Sequence, residues 1–261
     1  MKSWIRMAII GIWAAGVVDA LAAPYVVLND GTRRVGTRIS ARPDGTVVLT
    51  TESGQFEFAR GQYRAAVADK PADFDATIAA AGKAATADGA IPALTKIIRE
   101  LRNLEWDKPA AQALVRIYTG KKEFAPAAKV MEDLLAVYPT LESDPDYGWL
   151  YRQALLNAGQ IKKLETKLAD LVAKGSPADT ARALIMRGDI RAGEEKMEYA
   201  IRDYLRAVLF FERERAVMPE ALSKAAAALE KARDPRSKNL YQQLVRDYPN
   251  SPEAAAAKGK I

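Results

Sequence analysis

Set out in blocks that begin at residues 71, 108, 145, 181 and 218, the chain repeats itself every 36 or 37 residues. No other feature constrains its fold as strongly. One column of this register reads Ala90, Ala127, Leu164, Ala200 and Ser237. Four positions on it reads Leu94, Met131, Leu168, Tyr204 and Tyr241; three further, Ile97, Leu134, Leu171, Ala207 and Leu244; and next to those, Ile98, Leu135, Val172, Val208 and Val245. Offsets of four, three and one trace the buried stripe of an amphipathic helix. The small residue in the first column lets that helix approach a partner closely, and the later columns supply bulk. Self-similarity at such a period marks an array of units that each bury an apolar face against a neighbour.

An earlier helix precedes the stripe in each block, seen in "KPAAQALVRIYTG", "DYGWLYRQALLNAG" and "DTARALIMRGDIRAG", ended by Gly120, Gly159 and Gly193 near the turn. Pro139 and Pro249 follow the second helices. Helix, glycine-bearing turn, helix and proline together resemble the tetratricopeptide repeat, over residues 71–251. Leu114, Tyr118, Ala127 and Pro139 of the second block, and Gly188, Ala200 and Ala207 of the fourth, sit at consensus positions of that family. The period is near 37 rather than the family's 34, and the consensus tryptophan early in the first helix is absent. "LYQQLVRDYPNSPEA" is similar to the longer-period repeats of exported proteins of the Tol-Pal and outer-membrane-assembly systems. The leading coiled coil of one and the lipidation cysteine of the other are missing here, so their specific functions do not carry over.

The chain closes with a helix too short to stand alone. Tyr248-Pro249 stops the preceding helix, Ser251 can cap a new one with Pro252 at its first position, and the sequence ends at Ile261. A terminal repeat needs a cover, and "SPEAAAAKGKI" can supply one with a polar outer side.

Residues 23–70 read differently. Asp30-Gly31, Asp44-Gly45 and the weaker Ser53-Gly54 are turn formers, and Val35, Thr37 and Ile39 alternate with Gly36, Arg38 and Ser40. Four short antiparallel strands are expected. A module with so few large apolar groups is marginal alone, and it is expected to lean on the first helix after Pro71. By turn spacing and length it resembles a small SH3-like barrel, acting either as a cap on the helical array or as a ligand-binding module. The expected fold is therefore mainly α: a tetratricopeptide-like α-solenoid of about five helix-turn-helix repeats at 71–261, with a short capping helix, preceded by a small antiparallel β module.

Residues 1–22 read as a secretory signal peptide. Lys2 and Arg6 open it, Met7–Val18 is an uncharged run of 12 residues, and Ala20-Leu21-Ala22 provides a small-residue exit. A bilayer span needs roughly 20 apolar residues. Cleavage is placed after Ala22, because after Ala23 the cut would be followed directly by Pro24. Losing this segment takes the net charge from +6 to +5. The Cys-free, Ala-rich composition is neither a disulfide scaffold nor a lipoprotein, and it fits the periplasm, with release to the outside as the lesser alternative. No transmembrane segment is expected after signal cleavage. In that compartment nucleic acid is not an expected partner, and the basic surplus suits an anionic envelope polymer. Arg33, Arg34, Arg38 and Arg42 are read chiefly as keeping the small sheet soluble.

The chain has no histidine and no cysteine. That removes the commonest general base, the usual zinc ligands and the thiol nucleophile. Asp144 with Asp146 and Glu194 with Glu195 are the available carboxylate pairs, but the first lies in a turn and the second at a helix start, where acids favour the dipole. "SDPDYG" has Pro145 and Tyr147 at intervening positions and lacks the glutamate of a calcium loop. "NDGTRRVG" lacks the lysine of a phosphate loop. No enzyme activity, cofactor or metal is expected.

What remains is surface. The repeat resemblance implies that first helices line a concave groove, and it puts Gln112, Arg116, Trp149, Gln153, Arg182 and Asp189 at or near groove-facing columns. A tryptophan flanked by arginines makes a binding hot spot, although Trp149 reads equally as core. Lys162-Lys163 reads as helix surface and "FFERER" at 210–215 as a buried aromatic column. The expected function is a non-enzymatic exported scaffold whose groove binds a protein or peptide segment of a cell-envelope component. The alternative is cell-wall or surface-polysaccharide binding by the β module, with Phe56, Phe58 and Tyr63 as stacking faces and the helices as spacer.

Overall fold

A computed structural model describes residues 23–261; the segment read as a signal peptide, 1–22, lies outside the described residues. Six strands follow one another: β1 (Tyr25–Leu28), β2 (Arg33–Val35), β3 (Arg38–Ala41), β4 (Val47–Thr51), β5 (Gly54–Phe58) and β6 (Tyr63–Val67). They form two three-stranded antiparallel sheets, ordered β2-β1-β6 and β3-β4-β5. Four strands were expected; the continuous period-two text from Arg33 to Ala41 is divided at Gly36. The Gly36 amide donates to the Pro24 carbonyl at 2.9 Å, whereas the next amide, of Thr37, donates to Thr50 at 2.7 Å. The chain thus passes from one sheet to the other within one residue. A Cβ at Gly36 would stand 2.4 Å from the Thr50 carbonyl oxygen, so only glycine fits this corner. Asp30 and Asp44 form the expected turns, each carboxylate accepting the amide two residues on at 2.8 Å.

The module's core centres on Val26, Val47 and Leu49, all fully buried. The first helix after Pro71 meets this core through Trp106, whose ring lies 5.1 Å from that of buried Phe74. The seal is the turn at 101–106: Leu104 is buried in that core, with Leu101 and Trp106 packed against it. The Trp106 indole donates to the Ala68 carbonyl at 2.8 Å, and the Tyr63 hydroxyl to the Gly45 carbonyl at 2.7 Å. Arg60 reaches the Val137 carbonyl at 2.5 Å, at the end of a later helix.

Eleven α-helices follow among the described residues: α1 (Phe74–Ala81), α2 (Ala87–Glu100), α3 (Asp107–Gly120), α4 (Phe124–Val137), α5 (Pro145–Asn157), α6 (Ile161–Lys174), α7 (Pro177–Gly193), α8 (Met197–Phe210), α9 (Met218–Lys231), α10 (Arg236–Asp247) and α11 (Pro252–Ala257). The first ten make five helix-turn-helix pairs, one for each block of the repeat. The fold is mainly α, with a small antiparallel β module at its start. Leu94, Met131, Leu168, Tyr204 and Tyr241, the second column of the register, are all buried. The outermost column is less covered: Ile98, Val172 and Val245 are half-buried, while Leu135 and Val208 are buried.

Four of the five hairpins share one turn. The amides of Glu123, Gln160, Lys196 and Asp234 donate to the carbonyls five residues back, of Tyr118, Leu155, Arg191 and Leu229. Lys122, Gly159, Glu195 and Arg233 hold the left-handed position, with φ of 61°, 68°, 62° and 58°. This is the Schellman closure of a helix C-terminus. Only Gly159 is a glycine at the residue that requires positive φ; Gly120 and Gly193 are instead the last residues of α3 and α7.

The helices fall into two compact units. One ends at Ile117 and also takes in Asp133–Pro139; the other comprises Tyr118–Glu132 and Thr140–Ile261. The second has a continuous core running from Ala181 and Leu184 of α7 through Tyr204 and Ala207 of α8 to Leu222, Leu244 and finally Ala254 and Ala257 of α11. No helix among the described residues is long and apolar enough to cross a membrane.

Candidate functional site

Two helix starts build a cleft in the second unit. Asp144 caps α5, its carboxylate accepting the Asp146 amide at 2.9 Å, with Pro145 at the first helical position. Ser176 caps α7 in the same way, with Pro177 behind it, accepting the Asp179 amide at 3.2 Å and donating its hydroxyl to the Asp179 carboxylate at 2.7 Å. The other oxygen of Asp179 accepts the Trp149 indole N–H at 3.0 Å. The cap of α7 therefore fixes the orientation of a tryptophan on α5.

Trp149 is half-buried, with the Arg152 guanidinium 5.1 Å and the Arg182 guanidinium 5.8 Å from the ring centroid. Arg152 is buried; it donates weakly to the Glu142 carbonyl at 3.4 Å and lies 4.0 Å from the Glu142 carboxylate, while its Nε has no protein partner. Burial holds its pKa below the ordinary arginine value, against the pull of Glu142 and Asp179. Arg182 is only half-buried.

The cleft holds about 510 Å³. Leu150, Ile185, Met186 and Val217 contribute apolar walls, and Asp146, Gln153, Arg182, Asp189 and Glu220 supply polar groups. Asp189 is already engaged: Lys224 donates to both its oxygens, at 2.7 and 2.6 Å, and the Tyr204 hydroxyl donates at 2.8 Å. Burial first, and Asp189 second, push the Tyr204 phenol well above its ordinary pKa. The Tyr204 phenol therefore keeps its proton near neutral pH. The arrangement can hold a ligand, with apolar side chains, an aromatic ring with two guanidinium groups near it, and charges of both signs around it.

Of the six residues singled out from the repeat register, Trp149, Gln153, Arg182 and Asp189 come together in this cleft. Gln112 and Arg116 lie on α3, half-buried and exposed respectively, and do not line it. Trp149 is half-buried and lines the cleft, neither fully core nor fully surface. Arg152, Asp179 and Lys224 escaped notice in the sequence. The Ser176-Pro177-x-Asp179 spacing, which matches a capping box, was the available signal for Asp179.

Other expected features are relocated. Asp144 and Asp146 serve the start of α5, and Glu194 and Glu195 stand in the turn after α7. "FFERER" is not a buried column: Phe210 is exposed and Phe211 half-buried, because α8 ends at Phe210. In the β module Phe58 is buried and the Tyr63 hydroxyl is already bonded. Phe56 is the exposed ring, with Arg34 above it at 5.3 Å.

No protein-family model matches the chain, and no curated protein matches it. Among solved structures, a crystal structure of MamA protein is similar over 72% of this chain and 92% of its own, with a TM-score of 0.43 and 15% sequence identity.

Proposed function

We infer that the chain is a non-enzymatic, exported interaction scaffold of tetratricopeptide-like repeats, working in the periplasm, and that its cleft binds an extended segment of a protein of the cell envelope. The observation that carries this reading is the convergence of Trp149, Arg182, Met186 and Asp189 on one cleft that Leu150, Ile185 and Val217 also line. A peptide laid across it would bury an apolar side chain against Trp149 and Met186 and satisfy its backbone on Gln153 and Arg182. The test compares capture from envelope extracts by the chain and by a Trp149→Ala/Arg182→Ala variant of unchanged melting temperature. The proposal expects a discrete protein to be lost with the variant; identical capture by both refutes the cleft.

The β module, read as an SH3-like barrel, supports a second reading as a binder of anionic envelope polymer. Arg33 lies 3.7 Å over the Tyr25 ring and Arg34 5.3 Å over Phe56, so two exposed guanidinium groups stand beside aromatic rings. Retention on isolated cell-wall material at low salt, lost in Arg33→Ala/Arg34→Ala, is its expected signature. Equal retention of that variant would dismiss it.

A further inference from the structure

The outer face of α8 carries an unusual stripe. Tyr199, Arg202, Arg206 and Leu209 recur at spacings of three, four and three, which places them within an arc of about 80°. Phe210 adjoins the end. Leu209 is 67% and Phe210 73% exposed, more than any other large apolar side chain among the described residues. They protrude from the last turn of a helix whose other face is locked into the core by Tyr204, Ala207 and Val208.

Charge accompanies them. Between residues 202 and 215 there are four arginines against two exposed or half-exposed glutamates, Glu212 and Glu214. The one other acid there, Asp203, is fully buried and matched by Arg187 and Arg191 of α7. Arg202 lies 4.9 Å over the Tyr199 ring, and Arg206 reaches only to 4.0 Å from Asp203. Exposed apolar tips, an aromatic with a polar end and long cationic side chains thus share one helix face.

We propose that this face is a docking surface for an anionic lipid bilayer. Leu209 and Phe210 enter the interfacial layer, Arg202, Arg206 and Arg213 meet the phosphate-bearing headgroups, and Tyr199 lies at the boundary. Two points favour a bilayer over a protein. Leu209 and Phe210, although they border a hollow of about 300 Å³ beside Pro177, are the most exposed large apolar side chains among the described residues and can reach a flat surface, and long arginine stems can lie along the acyl boundary while their heads stay in water. Two apolar side chains alone, or a few cations alone, give weak and reversible attachment, whereas the two signals combine. None of the cleft residues takes part, so this surface and the cleft stand or fall separately.

The test is co-sedimentation of the chain from residue 23 onward with vesicles of one part phosphatidylglycerol to two parts phosphatidylcholine, beside vesicles of phosphatidylcholine alone. Sedimentation is expected with the anionic vesicles only, weakening as salt is raised. Leu209→Ser/Phe210→Ser, at exposed positions, should keep the melting temperature and lower the apparent affinity about ten-fold or more. Arg202→Glu/Arg213→Glu should abolish the difference between the two vesicle types. Failure to sediment, equal binding to both vesicle types, or unaltered binding by the apolar variant overturns the proposal. A wild-type dimer that becomes a monomer in Leu209→Ser/Phe210→Ser, without vesicle binding, would assign the face to a second copy instead.

Discussion

Gly188 faces the ring of Tyr204 so closely that a methyl group there would come within 2.4 Å of Cε1. This contact sets the approach of α7 to α8. Because Tyr204 also donates to Asp189, the same glycine governs a wall of the cleft. Gly188→Ala should cost about 1–3 kcal/mol by overpacking, offset in part by alanine's better helix propensity. Urea denaturation measures it, and a variant as stable as the parent would show that the two helices can separate freely.

Asp203 is fully buried, and Arg187 grips it with two hydrogen bonds, Nε to Oδ2 and Nη2 to Oδ1, each 2.8 Å, while Arg191 donates to Oδ2. Removing the carboxylate leaves two part-buried guanidinium groups facing each other without a counter-charge. Asp203→Asn is expected to lose about 3–5 kcal/mol, far more than Arg206→Ala, whose guanidinium stands 4.0 Å away and half exposed. Equal losses for the two variants would refute the assignment.

The Schellman turns predict gains. Lys122, Glu195 and Arg233 hold left-handed φ values with exposed side chains. Replacing each with glycine relieves the strain of Cβ and should stabilise by about 0.5–1 kcal/mol after the extra entropy of the unfolded chain is deducted. Gly159→Ala should do the reverse. Thermal melts of the four single variants test the pattern, which a destabilised Arg233→Gly would contradict.

Asp107 gives a pH dependence. It is buried, accepting the Asn103 amide and the Tyr138 hydroxyl, each at 2.8 Å. Burial raises its pKa above the ordinary 3.8 despite those bonds. The folded state therefore prefers the neutral carboxyl: the resulting stability is complete below 3.8 and disappears as pH rises through the raised folded value. Exposed Asp30 and Asp44 work in the opposite direction, held low chiefly by the amides of Thr32 and Thr46. A difference measurement isolates Asp107. The stability of the chain relative to its Asp107→Asn variant should be greater at about pH 3.5 than at about pH 7, and a pH-independent difference would exclude the effect.

These residues also show how far the sequence could be read. The second column of the register was legible because a helical stripe depends only on spacing, and Leu94, Met131, Leu168, Tyr204 and Tyr241 are buried as it requires. Trp149, Gln153, Arg182 and Asp189 were singled out by the groove that the repeat resemblance implies, and so were Gln112 and Arg116, which do not line the cleft. The seal of the β core was not, since Leu104 comes from a turn 36 residues beyond Ala68, whose carbonyl its neighbour Trp106 binds. Nor was the corner at Gly36, where alternation continues unbroken while the hydrogen-bond partners change sheet. The glycines marked the helix ends, since α3 and α7 stop at Gly120 and Gly193, but not which residue takes positive φ, because that is fixed by the backbone bonding of the turn. Phe210 reads as core by composition alone; only the end of α8 exposes it.

The short helix α11 packs over the α9–α10 end of the core. Ala254 and Ala257 of α11 are buried in the core shared with α9 and α10, Ser251 caps the helix by accepting the Ala254 amide at 3.0 Å, and Lys260 reaches Glu230 of α9 at 2.8 Å. Six residues of helix cannot persist without that support. Deleting 251–261 uncovers the end of the core beside Tyr241 and Leu244, where the half-buried Tyr248 also packs. The melting temperature should fall, or the truncated chain should associate through the bared surface, with calorimetry and size-exclusion chromatography as the readouts. Ser251→Ala alone should cost about 1 kcal/mol by loss of the cap. An unchanged melt with a monomeric elution profile would mean that α10 already presents a finished end and that α11 plays no part in holding the repeats together.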